Sequence, residues 1–470
     1  LLTFGFDSFL LAAEDRALAT RVILVRHGES TFNVERRVQG HCDLSSLTAA
    51  GRLGAQQVGA ALQDLQFAAA YSSPLQRAKE TAELILAGLN SNGHQPPALS
   101  LSNDLKEINL VQWEGLTFQE VEEQFPEGFR CWRDCPHELK MQIETPNGPQ
   151  DFYPVPALYE QARQFWQQML PNHQNETILV VAHSGINRCL INTAVGLSPE
   201  HYQSFHQSNC GISVLNFSGK LGELVQIESL NLTAHLGDPL PKQRKGQHGP
   251  RFLLVRHGET QWNREKRFQG QIDVPLNDQG RVQAAQAAEF LANIPIDRAV
   301  SSPMLRPKET AEIILKRHSG VELELNELLC EISHGLWEGK FEAEIEQAYP
   351  GDLQQWQQAP ETVQMPEGEN LQQVWQRATT AWQQILATTP PSTGERPVTT
   401  LVVAHDAVNK ALLCALVGQS PEKFWTFKQG NGAVTVIDYP YGIEAQPIIQ
   451  AMNITTHLGG VLDKTAAGAL

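Results

Sequence analysis

Arg21-Val-Ile-Leu-Val-Arg26-His27-Gly28-Glu29-Ser30 recurs in the same chain as Arg251-Phe-Leu-Leu-Val-Arg256-His257-Gly258-Glu259-Thr260. In each copy the four β-favouring residues before Arg-His read as a buried strand, and the glycine after it ends that strand. Each strand then delivers an Arg and a His to the C-terminal edge of a parallel sheet, where α/β proteins bind ligands.

Working outward, other landmarks repeat in the same order. Asn33 matches Asn263, and Gln39-Gly40 matches Gln269-Gly270, at the 230-residue spacing of the two histidines. Ser72-Ser73-Pro74 and Arg77 match Ser301-Ser302-Pro303 and Arg306. Glu107 and Trp113-Glu114-Gly115 match Glu331 and Trp337-Glu338-Gly339, and Val180–His183 matches Val402–His405. Near the ends, Asn231–Gly237 (NLTAHLG) resembles Asn453–Gly459 (NITTHLG). A period this long is a whole domain, not a solenoid repeat. The division expected is an N-terminal extension over 1–20, a first domain over 21–240, a linker over 241–250 and a second domain over 251–470. The linker assignment rests on the polar, Pro- and Gly-containing stretch Pro239–Pro250.

Composition narrows the function. Hydrophobic residues make up 41% of the 470, and no apolar run is long enough to cross a bilayer, so a soluble protein without membrane partners is expected. The first twenty residues lack a basic start and carry acids, which reads against a signal peptide. Seven cysteines, an odd number in a long chain, point to a reducing, cytoplasmic setting without a disulfide framework. Cys131 and Cys135 read as two free thiols. No Cys/His cluster has zinc spacing, so neither metal nor cofactor is expected. A net charge of −16 argues against nucleic acid. An acidic chain still binds an anion when its cations gather in one cleft.

The repeated motifs supply that cleft. Strands at Val22–Val25, near Ala69 and at Ile178–Val181 each end at a polar motif, and a helix is expected over Gly51–Leu65. Another helix carries Arg77 in its first turn. Side by side in a parallel sheet, the strand ends bring Arg26, His27, Arg77 and His183 to one rim. Arg presents a fork that matches phosphate oxygens, and a helix N-terminus adds positive character. An imidazole held there can attack phosphorus, and Glu107, on a half-buried strand edge, is placed to protonate the leaving oxygen. A neighbouring phosphate dianion would raise the pKa of that acid. Asn33 and Asn263 are expected to contact phosphate or substrate. His41, His94, His137, His173, His201 and His206 have no matching partners and read as surface residues, and Trp113 and Trp337 as packing.

In their order and spacing the Arg-His-Gly-Glu, Ser-Pro-x-x-Arg, Leu-x-Glu-Ile and Ala-His elements resemble the histidine phosphatase superfamily, which includes cofactor-dependent phosphoglycerate mutases and small-molecule phosphatases. The resemblance covers nearly all of residues 20–240 and 250–465. It implies two tandem three-layer α/β/α sandwiches with mostly parallel sheets. It also implies a phosphohistidine on the first His of each half, with the second His and two Arg binding phosphate. Carried over, His27, Glu107, His257 and Glu331 are catalytic. Arg26, Asn33, Arg77, His183, Arg256, Asn263, Arg306 and His405 bind phosphate. The tandem arrangement, Tyr153-Pro154-Val155, Gln207–Gly211 and Ala407-Val408-Asn409 are similar to the plant and cyanobacterial 2-carboxy-D-arabinitol-1-phosphatase group. The substrate implied is a small phosphorylated sugar or sugar acid. A mutase, which returns the phosphoryl group to a bound acid, is the alternative.

The copies differ. Ser184-Gly185 follows the second His of the first half, and Asp406-Ala407 that of the second. Trp113 to Trp166 spans 53 residues, against 45 from Trp337 to Trp382. Asp406 leaves open a second half that only binds or regulates. Duplicated domains often replace a homodimer, so the halves are expected to pair intramolecularly, face to face.

Overall fold

A computed structural model describes residues 20–90, 95–243, 249–392 and 396–465. The expected extension, apart from Thr20, and residues 244–248 of the expected linker lie outside these, as does His94.

The first half contains strands β1 (Thr20–Arg26), β2 (Ala69–Ser72), β3 (Leu99–Leu101), β4 (Met141–Thr145), β5 (Gly148–Phe152), β6 (Glu176–Ala182), β7 (Ile212–Phe217) and β8 (Val225–Leu232). The second contains β9 (Arg251–Arg256), β10 (Arg298–Ser301), β11 (Leu323–Leu325), β12 (Thr399–Ala404), β13 (Val434–Asp438) and β14 (Ile448–Ile454). Their order is β11-β10-β12-β9-β13-β14-β8-β7-β1-β6-β2-β3, one continuous sheet, with β4 and β5 forming a separate hairpin. In each half four strands run parallel (β3, β2, β6, β1 and β11, β10, β12, β9), and two antiparallel strands follow. The fold class is the expected one.

The central strands are apolar along their whole length because helices cover both faces. Successive side chains point to opposite faces. Val22, Leu24, Ile178 and Val180 pack with Trp166 and Leu190, whereas Ile23, Val25, Leu179 and Val181 pack with Val58 and Ile85. Helices Pro154–Met169 and Ser184–Ala194 therefore lie on one face, and Ala49–Ala61 and Gln76–Asn90 on the other. The second half repeats this, and each core layer continues across the junction.

The helix expected over Gly51–Leu65 runs over Ala49–Ala61. Thr48 starts it by accepting a hydrogen bond from the Gly51 N–H at 3.0 Å. Gly51 has a packing reason: a Cβ there would lie 2.1 Å from the Glu29 carbonyl oxygen. That contact seats the helix against the turn following His27. The β4–β5 hairpin accounts for the longer segment of the first half.

Two expectations change. The halves meet edge to edge, not face to face. β8 pairs antiparallel with β14, with Leu230 opposite Met452. Each strand supplies the partner that the other's open edge lacks. The histidines expected at the surface are half-buried where described: His41, His137, His173, His201 and His206. His173, for instance, bonds the Tyr71 hydroxyl and the Glu176 carboxylate, both at 2.7 Å. Among the described residues no helix is long and apolar enough to cross a membrane.

Candidate active site

β1 ends at Arg26, and His27 follows with its backbone N–H donating to the Ala182 carbonyl on β6 at 2.9 Å. The Gly28 N–H donates to Thr81 at 3.0 Å, which fixes the turn. His27 Nδ1 lies 2.7 Å from the Gly28 carbonyl oxygen. A carbonyl only accepts, so Nδ1 carries the proton and the Nε2 lone pair is left for the pocket. The His183 ring stands edge-on to His27 with centroids 5.1 Å apart, and its Nε2 is 2.8 Å from the Ser73 hydroxyl. Arg77 is fully buried and donates from its two Nη atoms to the Cys42 and Gly40 carbonyls, both at 3.0 Å. Its Nε and the His183 Nδ1 are buried without a hydrogen-bond partner. Buried polar atoms left open in this way are what a bound anion would satisfy. Arg26 Nη1 donates to the Gln207 carbonyl at 2.8 Å.

Glu107 is not on a strand edge. It follows the short turn Asn103–Leu105, and its carboxylate receives the N–H groups of Ile108 at 2.8 Å, Gly185 at 3.0 Å and Ile186 at 3.1 Å. It therefore sits on the N-terminus of the helix that follows His183. Asn33 is occupied locally: its Oδ1 accepts from the backbone and hydroxyl of Ser30 and from Asn209.

The second half assembles the same geometry. His257 Nδ1 faces the Gly258 carbonyl at 2.7 Å, and Arg306 Nε donates to His257 Nε2 at 3.3 Å. The His257 and His405 rings are 5.2 Å apart, and His405 Nε2 is 2.9 Å from the Ser302 hydroxyl. Arg256 donates to the Gln429 carbonyl, and Asn263 Oδ1 serves Thr260 as Asn33 serves Ser30. Burial lowers the pKa of His27, His183, His257 and His405 well below the ordinary value, aided by the neighbouring arginines. Burial and the nearby Asp406 carboxylate raise that of Glu331, against the pull of Arg306 and Arg256.

All twelve residues singled out from sequence thus fall into two clusters of six. The clusters differ in enclosure. Arg26, Asn33 and Glu107 are half-buried, whereas Arg256, Asn263 and Glu331 are at most 4% exposed. Several contributors went unread in the sequence. Ser73 and Ser302, recognised as repeats, are the hydrogen-bond partners of the second histidines. Asn209 and Asn431 tie the first histidine's carbonyl to Asn33 and Asn263. Lys410 pairs with Asp406 at 2.7 Å, an i,i+4 contact that helix spacing foreshadows.

Comparison with known proteins agrees with this geometry. The chain is 30% identical over 459 residues to 2-carboxy-D-arabinitol-1-phosphatase of Triticum aestivum, covering 94% of this chain and 87% of that protein. It is 29% identical over 460 residues to the probable 2-carboxy-D-arabinitol-1-phosphatase of Arabidopsis thaliana, covering 93% and 88%. A phosphoserine phosphatase 1 of Hydrogenobacter thermophilus is 32% identical over 209 residues, 44% of this chain and 94% of that one. The family model for the histidine phosphatase superfamily (branch 1) matches twice, at residues 22–229 and 252–454. With both matches falling on the two halves that carry the paired His and Arg clusters, the chain belongs to the histidine phosphatase superfamily, branch 1.

Proposed function

We propose that the chain hydrolyses small phosphorylated sugars or sugar acids, of the 2-carboxyarabinitol 1-phosphate kind, through a phosphohistidine in each half. The observation that carries this reading is the tautomer of the first histidine. With the Nδ1 proton held by its neighbour's carbonyl, Nε2 points its lone pair toward buried arginines. In the first step Nε2 of His27 or His257 bonds to phosphorus and the ester P–O bond breaks. Glu107 or Glu331 gives its proton to the leaving alkoxide. The Gly28 or Gly258 carbonyl steadies the positive charge that the ring gains. Arg26, Arg77 and His183, or Arg256, Arg306 and His405, hold the three equatorial phosphoryl oxygens. In the second step water attacks phosphorus, its proton passes to the carboxylate, the N–P bond breaks and inorganic phosphate leaves. The sugar-acid preference is supported by the relatives that match over nearly the whole chain. A cytoplasmic setting is supported by the odd number of cysteines.

Phosphate release from 2-carboxyarabinitol 1-phosphate, xylulose 1,5-bisphosphate and the phosphoglycerates tests the reading. Wild type, His27→Ala, His257→Ala and the double variant are compared, with acid-labile phosphoprotein trapped by quenching. Each single variant is expected to lose its own pocket's turnover by about a thousandfold or more, in line with loss of a catalytic nucleophile. Wild-type turnover in the double variant would end the mechanism. Transfer of the phosphoryl group to a second acid in place of water would make the enzyme a mutase. Loss of all turnover in one single variant would leave the other half to a binding role.

A further inference from the structure

The helices that start just after His183 and His405 carry equivalent positions 222 residues apart, Ser184 and Asp406, Arg188 and Lys410, and the short turns that follow them carry another such pair, Tyr202 and Phe424. In the first half the Arg188 guanidinium lies 5.5 Å from the centre of the Tyr202 ring. In the second, Lys410 Nζ lies 4.8 Å from the Trp425 ring centre and 2.7 Å from Asp406 Oδ2. The other carboxylate oxygen, Oδ1, reaches Arg256 Nη1 at 3.4 Å. Asp406, Lys410 and Arg256 are each at most 2% exposed. A buried carboxylate persists only when paired, and here it is paired with a pocket arginine. At these equivalent positions the second half therefore carries one more negative charge than the first, directly beside a group placed to hold phosphate. In the low dielectric of a buried site that charge acts strongly on any further anion.

We propose that Asp406 is a positioning residue that sets the charge class of substrate. It restrains Arg256 and offsets one positive charge, so the second pocket favours phosphate esters of neutral alcohols. The first pocket, with Ser184 and Arg188 in these places, favours phosphate esters that also carry a carboxylate. The proposal rests on the reading that both pockets hydrolyse phosphate esters.

The test uses the full-length chain with one pocket silenced at a time. His257→Ala leaves the first pocket and His27→Ala the second. 3-Phosphoglycerate and glycerol 3-phosphate form the substrate pair, since they differ only in a carboxylate against a hydroxymethyl group. The acid-to-neutral ratio of kcat/KM is expected to be about tenfold or more higher in the first pocket. Adding Asp406→Asn to the His27→Ala chain raises that ratio about tenfold, mainly through a lower KM for the acid. Adding Ser184→Asp to the His257→Ala chain lowers it by a similar factor. A structural role alone would change both substrates together. Should Asp406→Asn fail to fold, Asp406→Ser with Lys410→Arg recreates the first-half pair, and Ser184→Asp decides independently. Equal ratios in the two pockets, or ratios unmoved in folded variants, overturn the proposal. If the His27→Ala chain hydrolyses neither ester, it is catalysis in the second pocket that fails. Calorimetric binding of inorganic phosphate then decides: about tenfold tighter binding in Asp406→Asn supports the charge role, and unchanged affinity overturns it.

Discussion

In the proposed mechanism His257 attacks with the lone pair of an unprotonated Nε2, and burial together with Arg306 and Arg256 keeps the ring neutral far below its ordinary pKa. Glu331 faces the opposite requirement in that mechanism, where it holds a proton to give. Its burial and Asp406 raise its pKa, while Arg306 and Arg256 pull the other way and Lys410 is engaged by Asp406. With the first pocket silenced by His27→Ala, kcat/KM rises with pH through the His257 pKa, well below 6.5. It falls with pH through the Glu331 pKa, which lies above the usual carboxylate range. Asp406→Asn removes a neighbouring negative charge, so protonated Glu331 loses support. The falling limb then moves to lower pH, while the rising limb, governed mainly by burial of His257, stays near its place. A pH profile of the two chains checks this, and a falling limb that stays put or moves upward counts against it. At this scale the sequence was explicit, because Arg-His at a strand end is local. What it hid was the partner of each side chain. Ser73 bonds His183 across 110 residues, and such contacts exist only once the sheet has formed.

The helix start after the second histidine shows how one element distinguishes the pockets. Gly185 lets Glu107 approach, since a Cβ there would stand 2.4 Å from the Glu107 Oε1 and 2.8 Å from the Tyr202 hydroxyl. In the second half the glycine is Ala407 and the tyrosine is Phe424, which removes one obstacle to the added carbon. Glu331 correspondingly lies 3.4 Å from the Ala407 N–H, against 3.0 Å for Glu107 and Gly185. Gly185→Ala should therefore push Glu107 off its seat. In the His257→Ala chain kcat is expected to fall about tenfold or more, within the range that a positioned general acid supplies. KM changes less, because Arg26, Arg77 and His183 are untouched. Steady-state kinetics with a retained melting profile separates this from misfolding, and an unchanged kcat would refute it. The strands ending at Arg26, Ser72 and Ala182 and the helices beginning near Ala49 and Arg77 were readable from apolar runs and turn signals, whereas the antiparallel strands beyond β1 and β9 were not. The β4–β5 hairpin was visible only as extra length between Trp113 and Trp166: β4 alternates over five residues alone, and its partner Gly148-Pro-Gln-Asp-Phe152 has no alternation and contains a proline that argues against a strand.

The whole molecule is held together where two sheet edges meet, and two asparagines stand at that junction. Asn231 and Asn453 adopt left-handed backbone angles of +52° and +51°, a region that Asn tolerates better than most residues. Asn231 Nδ2 donates to the Gln450 carbonyl of the other half at 2.6 Å, and its Oδ1 accepts the Ser208 N–H at 2.7 Å. Asn453 repeats this with the Glu228 carbonyl and the Gly430 N–H, both at 2.7 Å. Their recurrence in NLTAHLG and NITTHLG was plain in the sequence. Their role was not, because pairing two distant edges leaves no periodic trace in either strand. The link reaches the pockets: Ser208 follows Gln207, whose carbonyl anchors Arg26, and Gly430 follows Gln429, which anchors Arg256. Asn231→Ala leaves buried backbone groups unpaired, and chemical denaturation is expected to show a loss of about 1–3 kcal/mol. It also frees the Arg26 anchor, so KM should rise in the first pocket more than in the second, and Asn453→Ala should reverse that bias. KM measured in the His257→Ala and His27→Ala backgrounds checks the pattern. Equal rises in both pockets from either variant would mean that the asparagines hold the halves together without positioning the arginines.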